Sequence, residues 1–206
     1  MVLDLDAISR APVVREPFTY FSASGVLSQA ALRDIARDFP PIRQGGIFPL
    51  EQLETGAAFD ALVDDIRSAD LERTVGGMLG IDLASRPLMI TVRGHCSRRD
   101  GRIHTDSEDK VATCLLYLNE PWAQGGGRLR LLRNGHDIDD YLAEIPPDGG
   151  TLVAFRRSDT SWHGHLPFEG PRRYVMFNWV RSGAALSRHV RRHHLSASLK
   201  RLNPFH

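Results

Sequence analysis

The chain has 206 residues, enough for one domain with a sizeable core. Its hydrophobic share of 42% and charged share of 25% are those of an ordinary globular protein, which excludes a disordered or fibrous chain. A formal net charge of +1 sets up no field for nucleic acid or an anionic membrane, so neither is expected as a partner.

The chain opens Met1-Val2-Leu3-Asp4-Leu5-Asp6, without the basic and apolar regions of a secretory leader, and no apolar run is long enough to span a bilayer. Cys96 and Cys114 form neither a disulfide framework nor a Cys-x-x-Cys pair. A reducing cytoplasm is the expected compartment.

Residues 1–20 mix prolines with Phe18 and Tyr20 and read as an extended lead-in. Ser28 can cap a helix running to Phe39, with Ala31, Leu32, Ile35 and Phe39 on one stripe, and Pro40 and Pro41 stop it. Helices are predicted over 57–67 and 71–79, the second ending at Gly80. All three have the apolar stripe of helices that cover a sheet.

From Pro87 the texture becomes β-rich. Strands are predicted at 88–92, 111–118, 128–132, 151–155 and 173–180, separated by turn clusters such as Pro146-Pro147-Asp148-Gly149-Gly150. The loop 134–141 is long enough to act as a lid. Arg128 and Arg130 alternate with Leu129 and Leu131, which predicts a basic, solvated strand face. Residues 187–206 are basic and His-rich and read as a terminal helix. These elements predict a mainly β (α+β) single domain. Residues 1–86 give helical support, 87–182 a jelly-roll core and 183–206 a C-terminal helix.

Within Asp100-Gly101-Arg102-Ile103-His104-Thr105-Asp106-Ser107, His104 and Asp106 are two residues apart. In extended chain they share a face, which supplies two thirds of a 2-His-1-carboxylate facial site for Fe(II). Ser161-Trp162-His163-Gly164-His165-Leu166-Pro167 offers the third ligand, from His163 or His165. Arg172-Arg173 opens the last strand. Alternation puts Arg173 with Val175, Phe177 and Trp179, so Arg173 is expected inside the barrel and Arg172 in solvent. A buried arginine needs an anion, and Tyr117 can add its hydroxyl to the same one.

Taken together, His104-x-Asp106, Leu116-Tyr117-Leu118-Asn119 with Trp122, Gly126-Gly127-Arg128-Leu129, Trp162-His163 with Pro167, and Arg173 ahead of Trp179 resemble the Fe(II)- and 2-oxoglutarate-dependent oxygenases, in particular the prolyl-hydroxylase-like branch. The resemblance covers roughly residues 87–182. It implies a double-stranded β-helix with iron at one open end, and Fe(II) held by His104, Asp106 and a distal His. His163 is chosen because Pro167 follows it four positions later, as in the family.

The resemblance also makes Arg173 and Tyr117 the cosubstrate-binding residues. Where the family often has a tyrosine lining that pocket, this chain has Arg93-Gly94-His95, and His95 is the substitute. The implied reaction hydroxylates a C–H bond of a protein residue or small molecule, with O2 as oxidant and 2-oxoglutarate converted to succinate and CO2. The resemblance admits ascorbate as an accessory reductant. Two alternatives stand beside it: a cupin-like metal enzyme without 2-oxoglutarate, and a non-enzymatic binding module. The helices leave room for a homodimer.

Overall fold

The structure, a computed structural model, describes residues 1–188. The predicted terminal helix is therefore seen only as a helical start at 183–188, and its basic remainder lies outside the described residues.

Four helices precede the long strands. Asp4 caps α1 (Leu5–Ser9), a single turn too short for periodicity to reveal within the expected lead-in. The Ser28 hydroxyl accepts from Ala31 N and caps α2 (Gln29–Arg37). α3 (Ala57–Ile66) is followed by α4 (Ala69–Leu79), which Ser68 caps at its start and Gly80 ends in the left-handed region at φ 66°.

Among the described residues, ten strands form two antiparallel sheets. The strands are β1 (Val13–Val14), β2 (Tyr20–Ala23), β3 (Phe48–Pro49), β4 (Leu88–Cys96) and β5 (Lys110–Tyr117), then β6 (Leu129–Leu132), β7 (Tyr141–Ile145), β8 (Leu152–Arg156), β9 (His163–Gly164) and β10 (Gly170–Val180). The larger sheet has the order β1-β2-β8-β5-β10-β4-β3 and the smaller the order β7-β6-β9. This is the double-stranded β-helix architecture. The predicted 134–141 loop is the β6–β7 turn, ending at the first residue of β7. It is closed on itself: Arg133 pairs with Asp140, and the Asn134 side chain bonds His136 N, Asp137 N and Asp140.

The two faces of the large sheet have separate jobs. Residues of one parity, among them Ile90, Val92, Cys114, Leu116, Ala154, Val175, Phe177 and Trp179, pack against the helices in one core. The opposite parity, among them Leu115, Tyr117, Val153, Phe155, Tyr174 and Met176, faces Leu129, Leu131 and Ile145 of the small sheet in a second core. The period-2 geometry of a strand produces this division. β-Strand pairing then aligns the inner residues in rows. Thr113 lies opposite Asn178, Leu115 opposite Met176, and Tyr117 opposite Tyr174, which is itself opposite Arg93. The first and last of these rows are polar, about 13 Å apart along the strand.

Gly94 on β4 sits against the chain at Ile42: a Cβ there would meet Ile42 O at 2.5 Å and Ile42 Cβ at 2.7 Å. Backbone cannot yield as a flexible side-chain tip can. Gly94→Ala is expected to lower unfolding free energy by about 1–3 kcal/mol in urea titration, whereas Ala at the open Gly77 inside α4 should raise it by up to about 1 kcal/mol.

Candidate active site

His104 is not in a full strand. It forms an isolated antiparallel bridge with His163, extending the small sheet by one residue. His104 N donates to His163 O and His163 N to His104 O, both at 3.0 Å. Residues paired this way project side chains to the same face, and the two imidazole centroids are 4.3 Å apart. His163 lies opposite Leu131 of β6, so it shares the inward face with that leucine and rests 4.8 Å from the Phe155 ring. The ligand atoms of His104, Asp106 and His163 lie within 4.8 Å of one another.

Neighbouring groups set what these side chains present. His104 Nδ1 lies 2.8 Å from Arg102 O and His163 Nδ1 lies 3.0 Å from Ser161 O. A carbonyl only accepts, so each Nδ1 carries the proton and each Nε2 keeps its lone pair for a metal. The Asp106 carboxylate accepts from Lys110 Nζ at 2.7 Å and from the Thr113 hydroxyl, to which Asn178 donates at 2.8 Å. Burial alone would raise the Asp106 pKa, but the Lys110 and His163 charges and the two side-chain hydrogen bonds outweigh it and hold the carboxyl well below the usual carboxylate range. Asp106 and His163 are buried while His104 is exposed, so the cluster opens to solvent at one edge. Two imidazole nitrogens and a carboxylate with an open side suit Fe(II).

At the other end of the interior sits Arg172, only 2% exposed. Its Nε donates to Gly127 O at 2.8 Å and its Nη2 to the Tyr117 hydroxyl at 3.3 Å. The guanidinium lies 5.2 Å from both the Tyr117 and Tyr174 ring centroids. Among the described residues it has no carboxylate partner. Burial raises the Tyr117 pKa to about 12, against the opposing pull of Arg172, so the phenol stays a neutral donor.

Arg173, expected inside, is exposed, with its guanidinium 5.3 Å from the Phe39 ring on the helix side. The alternation was sound but the face was mistaken. Val175, Phe177 and Trp179 line the helix-covered core, so Arg173 goes outward with them and Arg172 goes inward with Tyr174 and Met176. An irregularity in the β10–β4 register falls between Pro171 and Tyr174, where both arginines sit.

His165 is not in the triad. It is buried, its N donates to Gly101 O at 2.9 Å, and its ring packs directly over Gly101. His95 is half-buried on β4, opposite Pro171. Arg130, expected on a solvated face, is buried between Asp139 and Glu144 and stacks under Tyr141.

A family model described as the 2OG-Fe(II) oxygenase superfamily matches residues 92–181, a stretch that includes every site residue above. Over those residues the chain matches the 2OG-Fe(II) oxygenase superfamily. Solved structures share this oxygenase's fold. A prolyl-4-hydroxylase from Pseudomonas putida is 19% identical with a TM-score of 0.56, over 86% of this chain and 97% of that one. The viral collagen prolyl hydroxylase of Paramecium Bursaria Chlorella virus-1, solved with 2OG, is 18% identical with a TM-score of 0.54, over 79% and 95%. AviO1 from Streptomyces viridochromogenes Tue57 is 13% identical with a TM-score of 0.53, over 89% and 97%. No curated protein matches the chain. The oxygenase family favours neither a cupin-like enzyme nor a bare binding module.

Several groups of the oxygenase site carry no motif in the sequence. Lys110 and Thr113 lie four and seven residues beyond Asp106, and only the start of β5 turns them back onto its carboxylate. Arg93, also buried, bonds Asp100, which in turn accepts from Ser97 N and Ser97 Oγ. That pair folds the loop leading to His104.

Burial lowers the pKa of His163 to about 4. Burial and the neighbouring Arg172 charge do the same for His165. A histidine depressed from its unfolded value favours the fold above that value, and the benefit is lost as pH falls from about 6.5 toward about 4, roughly 3 kcal/mol for each. The metal-free oxygenase should therefore lose stability steeply across this window, with uptake of about two protons on unfolding near pH 5. His165→Asn should remove about half of that slope in urea titrations at stepped pH.

Proposed function

We propose that this Fe(II)/2-oxoglutarate dioxygenase holds its metal with His104 Nε2, His163 Nε2 and the Asp106 carboxylate, and its cosubstrate with Arg172 and Tyr117. The observation that carries the cosubstrate assignment is Arg172, a buried guanidinium inside the barrel with a phenol beside it and no carboxylate partner among the described residues. A buried charge of that kind is costly unless an anion joins it. A guanidinium fork matches a carboxylate, and the far carboxylate of 2-oxoglutarate supplies one.

When bound, the iron supplies oxygen activation: one O2 and one 2-oxoglutarate yield succinate, CO2 and one hydroxyl placed on a substrate C–H. The protein's residues do the rest. Thr113 and Lys110 fix the Asp106 carboxylate, Arg102 O and Ser161 O fix the two imidazoles, and Arg172 sets the direction of the cosubstrate. The apolar row of Leu115 and Met176 between the two polar rows keeps that path dry.

The substrate we propose is an aliphatic residue in a peptide, proline first, because two structurally similar proteins are prolyl hydroxylases. A small-molecule acceptor is the competing reading. Residues 1–188 act as one oxygenase domain, supported by the single core that the helices share with the large sheet. The compartment we propose is the cytoplasm, in keeping with two free, buried cysteines. Among the described residues no helix is long and apolar enough to cross a membrane.

Succinate release from 2-oxoglutarate under Fe(II) and O2 tests the reading. His104→Ala and Asp106→Ala should abolish it. Arg172→Ala should raise the KM for 2-oxoglutarate about 30-fold or more, while Arg173→Ala should stay within about twofold, as expected for an exposed residue. The reverse order would overturn the cosubstrate assignment. Thr113→Val should weaken metal binding by about 10–100-fold. Proline-containing peptides should stimulate succinate release and gain 16 mass units; stimulation by free amino acids or sugars alone would favour the small-molecule reading.

A further inference from the structure

Next to Asp106, which Lys110 and Arg157 both touch, lies a cavity of about 200 Å³ whose lining includes Asp82, Arg86, Lys110, Arg156, Arg157 and Arg181. Four arginines and one carboxylate line it, in a chain whose net charge is only +1. The carboxylate is already engaged, since Asp82 Oδ1 accepts from Ala84 N at 2.9 Å to close its own turn.

Three of the four arginines are held in place by backbone carbonyls. Arg86 Nε donates to Asp82 O at 3.0 Å, Arg157 Nε to Asp106 O at 3.1 Å, and Arg181 Nε to Glu108 O at 2.6 Å. Those three bonds use one edge of each guanidinium and orient its plane. Arg157 also pairs with Asp159, which is 88% exposed, a contact that solvent screens strongly. Among the described residues Arg86, Arg156 and Arg181 have no carboxylate partner. Lys110 forms the back wall, with its ammonium turned to Asp106.

Like charges gathered round one small concavity repel unless an anion sits among them. The arms come from the neighbouring ends of β8, β5, β10 and the segment that precedes β4, so four adjacent strands bring them together at one end of the large sheet. Four guanidinium forks lining one small concavity offer more donors than a flat carboxylate uses, since one or two forks satisfy it, and suit the larger oxygen set of a tetrahedral oxyanion. We infer that this cavity is a binding site for a phosphate group, either free inorganic phosphate or the phosphate of a small phosphomonoester, distinct from the cosubstrate site at Arg172. It shares a wall with the proposed metal cluster, because Lys110 and Arg157 both touch Asp106.

Isothermal titration of the full 206-residue chain with inorganic phosphate, at constant ionic strength kept with chloride, tests the assignment. The expected result is saturable binding of one phosphate per chain. The double variant Arg86→Ala/Arg156→Ala should weaken it by at least about tenfold, as expected for the loss of charge-assisted contacts. Arg37→Ala/Arg73→Ala removes the same charge from distant helix surfaces and should leave it unchanged. Melting curves confirm that both double variants fold. Titration with glycerol 2-phosphate separates the sources: tighter binding than inorganic phosphate identifies an organic phosphomonoester, and weaker binding identifies the free ion. Absence of saturable binding to either probe, or equal loss in both double variants, would overturn the site.

Discussion

Two backbone hydrogen bonds between His104 and His163 hold the candidate centre together. They join a loop that has left the large sheet to a two-residue strand of the small sheet, far away in sequence. Nothing else in that loop is strand-paired, so this seam places both imidazoles on one inward face. Asp106 then needs only to follow two residues later, and Lys110, Thr113 and Asn178 catch its carboxylate from the large sheet. The centre is thus built where the two sheets meet, with each sheet contributing what the other lacks.

The interior carries more charge than an apolar core would tolerate. Asp106, Lys110, Arg93 and Arg172 are all at least nine-tenths buried. Lys110 balances Asp106, and Asp100 balances Arg93. Arg172 is left with a phenol, two aromatic faces and a carbonyl. That imbalance is the reason to read the last polar row as a seat for an anion, and the leucine and methionine row between it and Asp106 as the path between anchor and metal.

Much of this was legible in the residues. Ser28, the helix breaks and Gly80 marked their elements because caps and stops act locally. His104, Asp106 and His163 were legible because their spacing matches a known ligand pattern, and the structure does bring their ligand atoms together. Tyr117 was placed by its order after the His-x-Asp pair, and it bonds a buried arginine. Arg173 lies on the opposite face from the one expected for a physical reason. Both faces of β10 are buried, one by helices and one by the small sheet, so the apolar partners of Arg173 marked a core without saying which core. Lys110, Thr113 and Arg93 were illegible for another reason: their roles depend on where β4 and β5 turn in space, and period alone does not fix that.

An anaerobic crystal structure with Mn(II) in place of iron and with 2-oxoglutarate, phased at the metal edge, tests the central claim most directly. The account predicts one metal bound by His104 Nε2, His163 Nε2 and Asp106, with the far carboxylate of 2-oxoglutarate on Arg172 and Tyr117. A metal held by His165, or a cosubstrate carboxylate on Arg173, would contradict it.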